Sequence, residues 1–200
     1  NELNDFRKIT LKLGTKLNEL NAKTILIDGL MAFTDDKEEI LRQFSSTLPL
    51  CDYAFDKYKQ KKADYTEKNI FILESDTFED TAAKSALQEG ANIAKGIFIA
   101  RDLTNEPSDV LTPEELANRC ISFGKEYGFE VEVFDKEACA ELGMSAFLTV
   151  SRGRAYEPKL IVMRYRGDDS TDISKGVIGK GLCYDSGGLY LKPGASMEHS

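Results

Sequence analysis

The sequence predicts a mixed α/β protein in two parts. Residues 1–103 read as a small N-terminal α/β domain, and residues 104–200 as a linker followed by the incomplete opening of a second α/β domain. Three observations carry this. Short β-branched apolar runs alternate with stretches of helical spacing, the pattern of sheets covered by helices. A segment of turn and capping residues near 100–112 separates two such series. After residue 143 strands continue with almost no helices between them, so the second sheet lacks the layer that an α/β sheet needs.

Taken in order, Leu3, Phe6, Leu13, Leu17 and Leu20 predict a helix over 2–20, weakened by Gly14. The run 23-KTILIDG-29 reads as a buried strand. Asp35 or Asp36 caps a helix carrying Ile40, Leu41 and Phe44, which stops before Pro49. The segment 50-LCDYAFDKYKQKKADYTEK-68 reads as a helix end and a solvated loop. Its lysines beside tyrosines are weak evidence for a nucleic-acid contact. A strand, 69-NIFILES-75, precedes a long helix over 79–101 with a small-residue stripe of Ala83, Ala86, Leu87, Ala91, Ala94 and Ile97, ended by Arg101 and Asp102.

The loop 104-TNEPSDVL-111 leads to a helix start at Thr112, Pro113 and Glu115. Thr112 accepts orphan backbone N–H groups, Pro113 lacks only a donor that has no partner there, and Glu115 closes a capping box. This helix is expected to bury Leu116, Cys120, Phe123 and Tyr127 and to end at Gly128. Then follow a strand at 129-FEVEVF-134, a short helix capped by Asp135 and ended by Gly143, a strand at 146-AFLTV-150, a turn-rich 151–158, a strand at 159-KLIVMRYRG-167, a loop at 168–174 and a strand at 176-GVIGK-180.

The chain has 200 residues, 42% of them hydrophobic, enough for a real core. Lys+Arg 26 against Asp+Glu 34 gives a net charge of −8. Such a surface disfavours nucleic acid as a main partner, because phosphate contacts need a positive footprint. Cys51, Cys120, Cys139 and Cys183 contain no CxxC pair and read as reduced, mostly buried thiols. No apolar run reaches the roughly 18 residues of a membrane span, and no signal peptide is visible. The expectation is a cytoplasmic protein without a membrane partner. The chain opens on Asn1 rather than methionine, which reads as a start that is processed, trimmed or simply not shown.

The chemistry concentrates in 176-GVIGKGLCYDSGGLYLKPG-194. Asp185 at a strand end suits a cation in an oxygen-rich site. Lys180 ligates a cation only as a neutral amine. Lys192 is placed to put positive charge over a substrate oxygen that turns negative in reaction. Spacing alone leaves the plainer reading open, that these are ordinary turn residues. The segment is no phosphate loop, since Ser174 and Gly181 stand where GxxxxGK[ST] needs glycine and a hydroxyl residue. His199 is the only histidine, which rules out a His-rich zinc site within these residues and leaves Ser186 without a base as a nucleophile.

The block 178-IGKGLCYDSGGLYLKP-193 with Met197, the stretch 101-RDLTNEPSDVLTPEELA-117 and, more weakly, 53-YAFDKYKQKK-62 resemble the leucyl aminopeptidase (cytosol aminopeptidase, M17) family. The matches run in the expected order over most of the chain. The resemblance implies that 104–200 opens an α/β metallopeptidase catalytic domain. It implies that Lys180 binds one of two divalent metals as a neutral amine, that Asp185 reaches both, and that Lys192 polarises the scissile carbonyl. It further implies two ions, Zn2+ and/or Mn2+, peptide substrates with leucine often preferred, attack by a bridging water, and homohexamers. Four positions depart from the family pattern: Asp109, Arg152, Arg154 and Ser200, the last making the first-residue pocket more polar. The family's further metal ligands and its catalytic arginine have no counterpart in these residues. The expectation is therefore an internal piece of an aminopeptidase, inactive alone. The competing readings are a non-catalytic α/β scaffold or assembly module of the same family, and DNA binding, which the net charge opposes.

Overall fold

The structure is a computed structural model that describes residues 2–20, 22–62, 67–73, 80–153, 155–171 and 174–197. It is mixed α/β, as the alternation of patterns predicts. The chain divides into two compact units, Asn1–Asn105 and Glu106–Ser200.

In the first unit, α1 (Glu2–Glu19) leads to β1 (Thr24–Ile27), a 3₁₀ turn at Leu30–Ala32, α2 (Lys37–Thr47) and a second 3₁₀ turn at Leu48–Asp52. Then come β2 (Asn69–Ile72) and α3 (Asp80–Asn105). Asp36 caps α2 by accepting the Glu39 N–H at 3.0 Å. β1 and β2 pair in parallel, from Thr24 opposite Asn69 to Ile27 opposite Ile72. Because successive strand side chains alternate in direction, Ile27, Ile70 and Ile72 turn to one face and pack on a core of Phe6, Leu30, Ile40, Leu41, Phe44, Leu48, Ala83 and Ala86. Leu26 and Phe71, in register, take the opposite, exposed face. The small-residue stripe on α3 differs from expectation at one point: Ala91 is exposed, and Gly90 takes the buried position instead.

Helix α3 also runs on past Arg101 and Asp102 to Asn105. The two charged residues do not end it, because side chains one turn further on find partners. The Tyr53 hydroxyl donates to Asp102 Oδ1 at 2.9 Å and accepts from Asn105 Nδ2 at 2.9 Å. Phe98 stacks on the Tyr53 ring at 5.5 Å, and the Arg101 guanidinium lies 5.2 Å from its centroid.

The second unit contains α4 (Pro113–Tyr127), β3 (Glu130–Phe134), α5 (Lys136–Glu141), α6 (Ser145–Val150), β4 (Leu160–Arg164) and α7 (Gly194–Met197). Thr112 Oγ1 accepts the Glu115 N–H at 3.2 Å, and Gly128 at φ 78° stops α4. The Glu115 carboxylate, expected to complete a capping box, accepts instead from Arg119 Nε at 2.7 Å. The buried positions of α4 are Ala117, Cys120 and Gly124; Leu116 and Phe123 are half-buried, and Tyr127 is exposed. β3 and β4 are antiparallel, with Glu130 opposite Arg164 and Phe134 opposite Leu160.

Two expected strands are absent. Residues 146–150 lie in α6, where Leu148 N–H donates to the Met144 carbonyl at 3.1 Å and Thr149 Oγ1 to the Ser145 carbonyl at 2.8 Å. A short apolar run fits either state by period alone, and here local bonds decide. Residues 176–180 form no strand either. Val177 is 97% and Ile178 100% exposed, so a strand-like composition stands with no neighbouring strand among the described residues to pair with. The Glu74 and Ser75 end of the predicted 69–75 strand, the residue 79 start of the long helix, part of the 168–174 loop, Arg154, His199 and Ser200 lie outside the described residues. All four cysteines are reduced thiols, Cys120 and Cys139 buried, Cys51 and Cys183 half-buried.

Candidate active site

The glycine-rich segment 174–193 has no regular secondary structure, and one tight turn organises it. Gly187 (φ 101°) and Gly188 (φ 93°) occupy left-handed backbone that other residues rarely adopt. A Cβ on Gly187 would collide with the Tyr190 carbonyl oxygen and lie 3.0 Å from Lys192 N. The chain closes on itself there: Lys192 N–H donates to the Ser186 carbonyl at 2.9 Å. The Gly187 N–H donates to Asp185 Oδ1 at 2.9 Å.

This turn carries Lys192 back onto Asp185. Lys192 Nζ lies 3.0 Å from Asp185 Oδ2, with the side chains 32% and 37% exposed. The Lys192 ammonium, hydrogen-bonded to the carboxylate, holds the Asp185 carboxyl below the usual range; the Gly187 N–H and the positive charges of Lys192 and Lys180 add to this. Asp185 is therefore ionised at neutral pH. Lys180 is exposed on the same segment, close enough for its charge to act on Asp185.

The three residues singled out from the sequence are thus placed unequally. Asp185 and Lys192 are in direct contact, and Lys180 reaches Asp185 through its charge. As a donor set for cations they are partial. A carboxylate offers about four lone-pair directions, and the contacts from Gly187 and Lys192 leave room for a cation at Asp185. Lys180 supplies a nitrogen once deprotonated. Among the described residues no group of three or more His, Cys, Asp or Glu side chains converges to hold a metal. Of the positions that depart from the family pattern, Asp109 and Arg152 are both exposed.

Two clusters escaped sequence reasoning. One is the Tyr53, Asp102 and Asn105 network. The other is Glu106, whose carboxylate is 2% exposed and meets Arg119 Nη1 at 3.1 Å, while Arg119 Nε bonds Glu115. Neither carries a local sequence signal, because the bonded partners lie 52 residues apart in the first and 13 apart for Glu106 and Arg119 in the second.

The second unit is mixed α/β and holds a carboxylate–amine pair in a glycine turn, an arrangement that by itself names no activity. The comparisons make this specific. The "Cytosol aminopeptidase family, catalytic domain" profile matches residues 98–200. The chain belongs to the cytosol aminopeptidase family. It is 37% identical over 197 residues to a "Probable cytosol aminopeptidase" of Clostridium tetani, covering 97% of this chain and 40% of that protein. It is 38% identical over 190 residues to a protein of the same description from Fusobacterium nucleatum, covering 91% and 38%. The chain thus spans about two fifths of the length of the curated relatives it matches. The solved structure "Bottromycin maturation enzyme BotP in complex with Mn" superposes with a TM-score of 0.77 at 26% identity, covering 100% of this chain and 41% of that one. A mutant tomato leucine aminopeptidase shares the fold, with a TM-score of 0.74 at 21% identity over 90% of this chain and 37% of its own.

Proposed function

We propose that these residues belong to a metal-dependent aminopeptidase that releases N-terminal residues, with a leucine-type preference, from peptides. The observation that supports this most is the Asp185–Lys192 pair at 3.0 Å in a glycine turn, inside the segment that matches the family's catalytic domain. In this reading 1–103 is the N-terminal domain and 104–200 the linker and start of the catalytic domain. Lys180 and Asp185 are metal ligands and Lys192 is the catalytic lysine. The Mn in the complex named above suits the oxygen and nitrogen donors here, and Zn2+ is the alternative. Two bound divalent ions would supply Lewis-acid activation of water and carbonyl. The chain's own contribution is to orient: Asp185 presents an ionised carboxylate, and Lys192 brings an ammonium to the oxygen on which negative charge develops. Since no complete ligand group converges among the described residues, we propose that these residues alone are inactive. We place the protein in the cytoplasm as a homohexamer, without nucleic acid or membrane as partner.

The runner-up is a non-catalytic scaffold or assembly module of the same family, which the absence of a converged ligand group among the described residues favours. A protein of its relatives' length that carries these residues separates the two. Loaded with Mn2+, it is expected to hydrolyse leucine p-nitroanilide, and Asp185→Asn is expected to lower kcat/KM at least a hundredfold. No hydrolysis of any N-terminal residue by the loaded, hexameric protein leaves the scaffold reading standing.

A further inference from the structure

The first unit carries two unlike surface features that the aminopeptidase reading does not use. One is a groove of about 520 Å3 beside the starts of α1 and α2, within the roughly 300–1,000 Å3 of ligand-sized clefts. Leu3, Phe6, Ile9, Phe33 and Ile40 give it apolar walls. Phe6 and Ile40 are buried, but Ile9 and Phe33 stay 48% and 47% exposed, with the Phe33 ring edge-on to Phe6 at 5.1 Å. Glu2, Asp5, Asp36 and Glu39 line it as well, and among the described lining residues there is no lysine, arginine or histidine. Asp36 and Glu39 are engaged inside the unit, Asp36 as the cap of α2 and Glu39 with Arg42 and Gln43. Glu2 and Asp5 lie in the first turn of α1, where negative charge suits a helix start. Asp5 meets Lys8 at 3.5 Å in an exposed pair, of the kind that exchanges readily for another. The helix start accounts for the acid. It does not account for two large apolar side chains left half uncovered beside it.

The other feature is the segment 55–62. Phe55 and Tyr58 meet edge to face at 5.9 Å, Tyr58 is 54% exposed, and Lys57 Nζ lies 5.2 Å from the Tyr58 ring centroid. Lys59, Lys61 and Lys62 follow, all exposed. An aromatic ring flanked by lysines is the complement of an apolar groove edged by carboxylates, since the ring covers apolar surface and the ammonium groups meet the acid.

We propose that the groove at the start of α1 receives the 55–62 segment of a second copy of this chain, with Tyr58 against Ile9 and Phe33, and with Lys59, Lys61 and Lys62 toward Glu2 and Asp5. Groove and segment are different patches, so the contact is heterologous: each copy gives its segment to one neighbour and its groove to another, closing a ring or extending as a chain. Exposed ion pairs contribute little singly. The contact therefore suits an assembly whose copies are already held close, where the effective concentration of the segment is high. It involves neither a metal nor the 185–192 turn, and it stands or falls separately from the proposed activity.

The test uses a protein of its relatives' length, co-expressed as two differently tagged forms. One form carries Glu2→Gln and Asp5→Asn and keeps its lysines. The other carries Lys59→Gln, Lys61→Gln and Lys62→Gln and keeps its groove. Assemblies holding both tags are treated with a carbodiimide, which joins a lysine amine to a carboxylate in contact with it, and the linked peptides are read by mass spectrometry. Links from Lys59, Lys61 or Lys62 to Glu2 or Asp5 are expected, and in this mixture they run only between copies. Their yield is expected to fall at least about fivefold as salt is raised from about 50 to about 500 mM. Tyr58→Ser in the lysine-bearing form is expected to lower it about threefold, while Tyr58→Phe keeps it. Links that form in the unsubstituted protein but not in the mixed assembly place the contact within one copy and overturn the proposal. Links to Glu2 and Asp5 from other lysines, with none from 59–62, give the groove a different occupant and overturn it too. So does an absence of links in both samples, or a failure of the two tags to copurify.

Discussion

Two glycines on the same helix make opposite predictions for the same substitution. Gly90 is buried where α3 meets α2. A Cβ there would fall far inside contact distance of Ser45 Oγ and of the Arg42 carbonyl oxygen, and 3.0 Å from Ser46 N. Rotating Ser45 away relieves only the first clash and breaks its hydrogen bond to the Leu41 carbonyl at 2.9 Å. The Arg42 carbonyl and Ser46 N are backbone of α2 and yield only if the helices separate, which strips contacts from Ala83, Ala86 and Phe44. Gly96, by contrast, is exposed with nothing within 4 Å of its would-be Cβ. Overpacking costs about 3 kcal/mol when backbone must move, and alanine regains about 1 kcal/mol of helix propensity. Gly90→Ala is thus expected to destabilise by about 2 kcal/mol. Gly96→Ala, with the propensity gain alone, is expected to stabilise by up to about 1 kcal/mol. Urea titration followed by circular dichroism at 222 nm reads both. A Gly90→Ala protein as stable as the parent, or a Gly96→Ala protein less stable than Gly90→Ala, refutes the packing argument.

Further outcomes follow from the caps and turns. Thr112→Ala removes the acceptor for the Glu115 N–H and is expected to cost about 1 kcal/mol by calorimetry, with Thr112→Ser near the parent; equal loss in both would place the effect in the threonine methyl instead. Asp168 is held below the usual carboxylate range, first by the Ser170 hydroxyl and then by its N–H. A depressed folded value stabilises above the ordinary carboxylate pKa, and this is lost as pH falls through the folded value. Ser170→Ala is therefore expected to move the Asp168 carboxyl titration upward in 13C spectra, and an unmoved curve would show that the N–H alone sets it. Gly187→Ala forces a Cβ into left-handed backbone against the Tyr190 carbonyl. The turn is expected to open, and the Asp185 titration to rise toward the ordinary value as Lys192 leaves; an Asp185 curve unchanged from the parent would mean that another contact holds the pair.

The local signals were legible because they depend on a few neighbouring residues. Asp36, Thr112 and Asp135 each cap a helix by reaching an N–H three residues on, a bond whose partners lie within one turn of sequence. Gly128 ends α4 for the same reason. Strands are less legible, because their bonds go to another strand. The runs 24–27 and 69–72 found each other in parallel register. Residues 176–180, apolar only at Val177 and Ile178, have no such neighbour among the described residues and form no strand. The far end of α3 was misjudged because Asp102 and Asn105 are held by Tyr53, roughly fifty residues earlier in the chain.

Consecutive residues alone were enough for the mixed α/β class, the helix caps and the family, and they singled out Lys180, Asp185 and Lys192 as candidates. They could do so because periodicity, capping and a glycine-rich motif are local properties of the chain. That Asp185 and Lys192 touch, that the Glu106 carboxylate is buried against Arg119, and that Gly90 rather than Ala91 is buried where α3 meets α2 came from the folded arrangement. Those facts depend on where the backbone turns and which helix lies opposite. Ion pairing and close packing are set by distances of a few ångströms between atoms far apart along the chain, and composition and spacing do not record them.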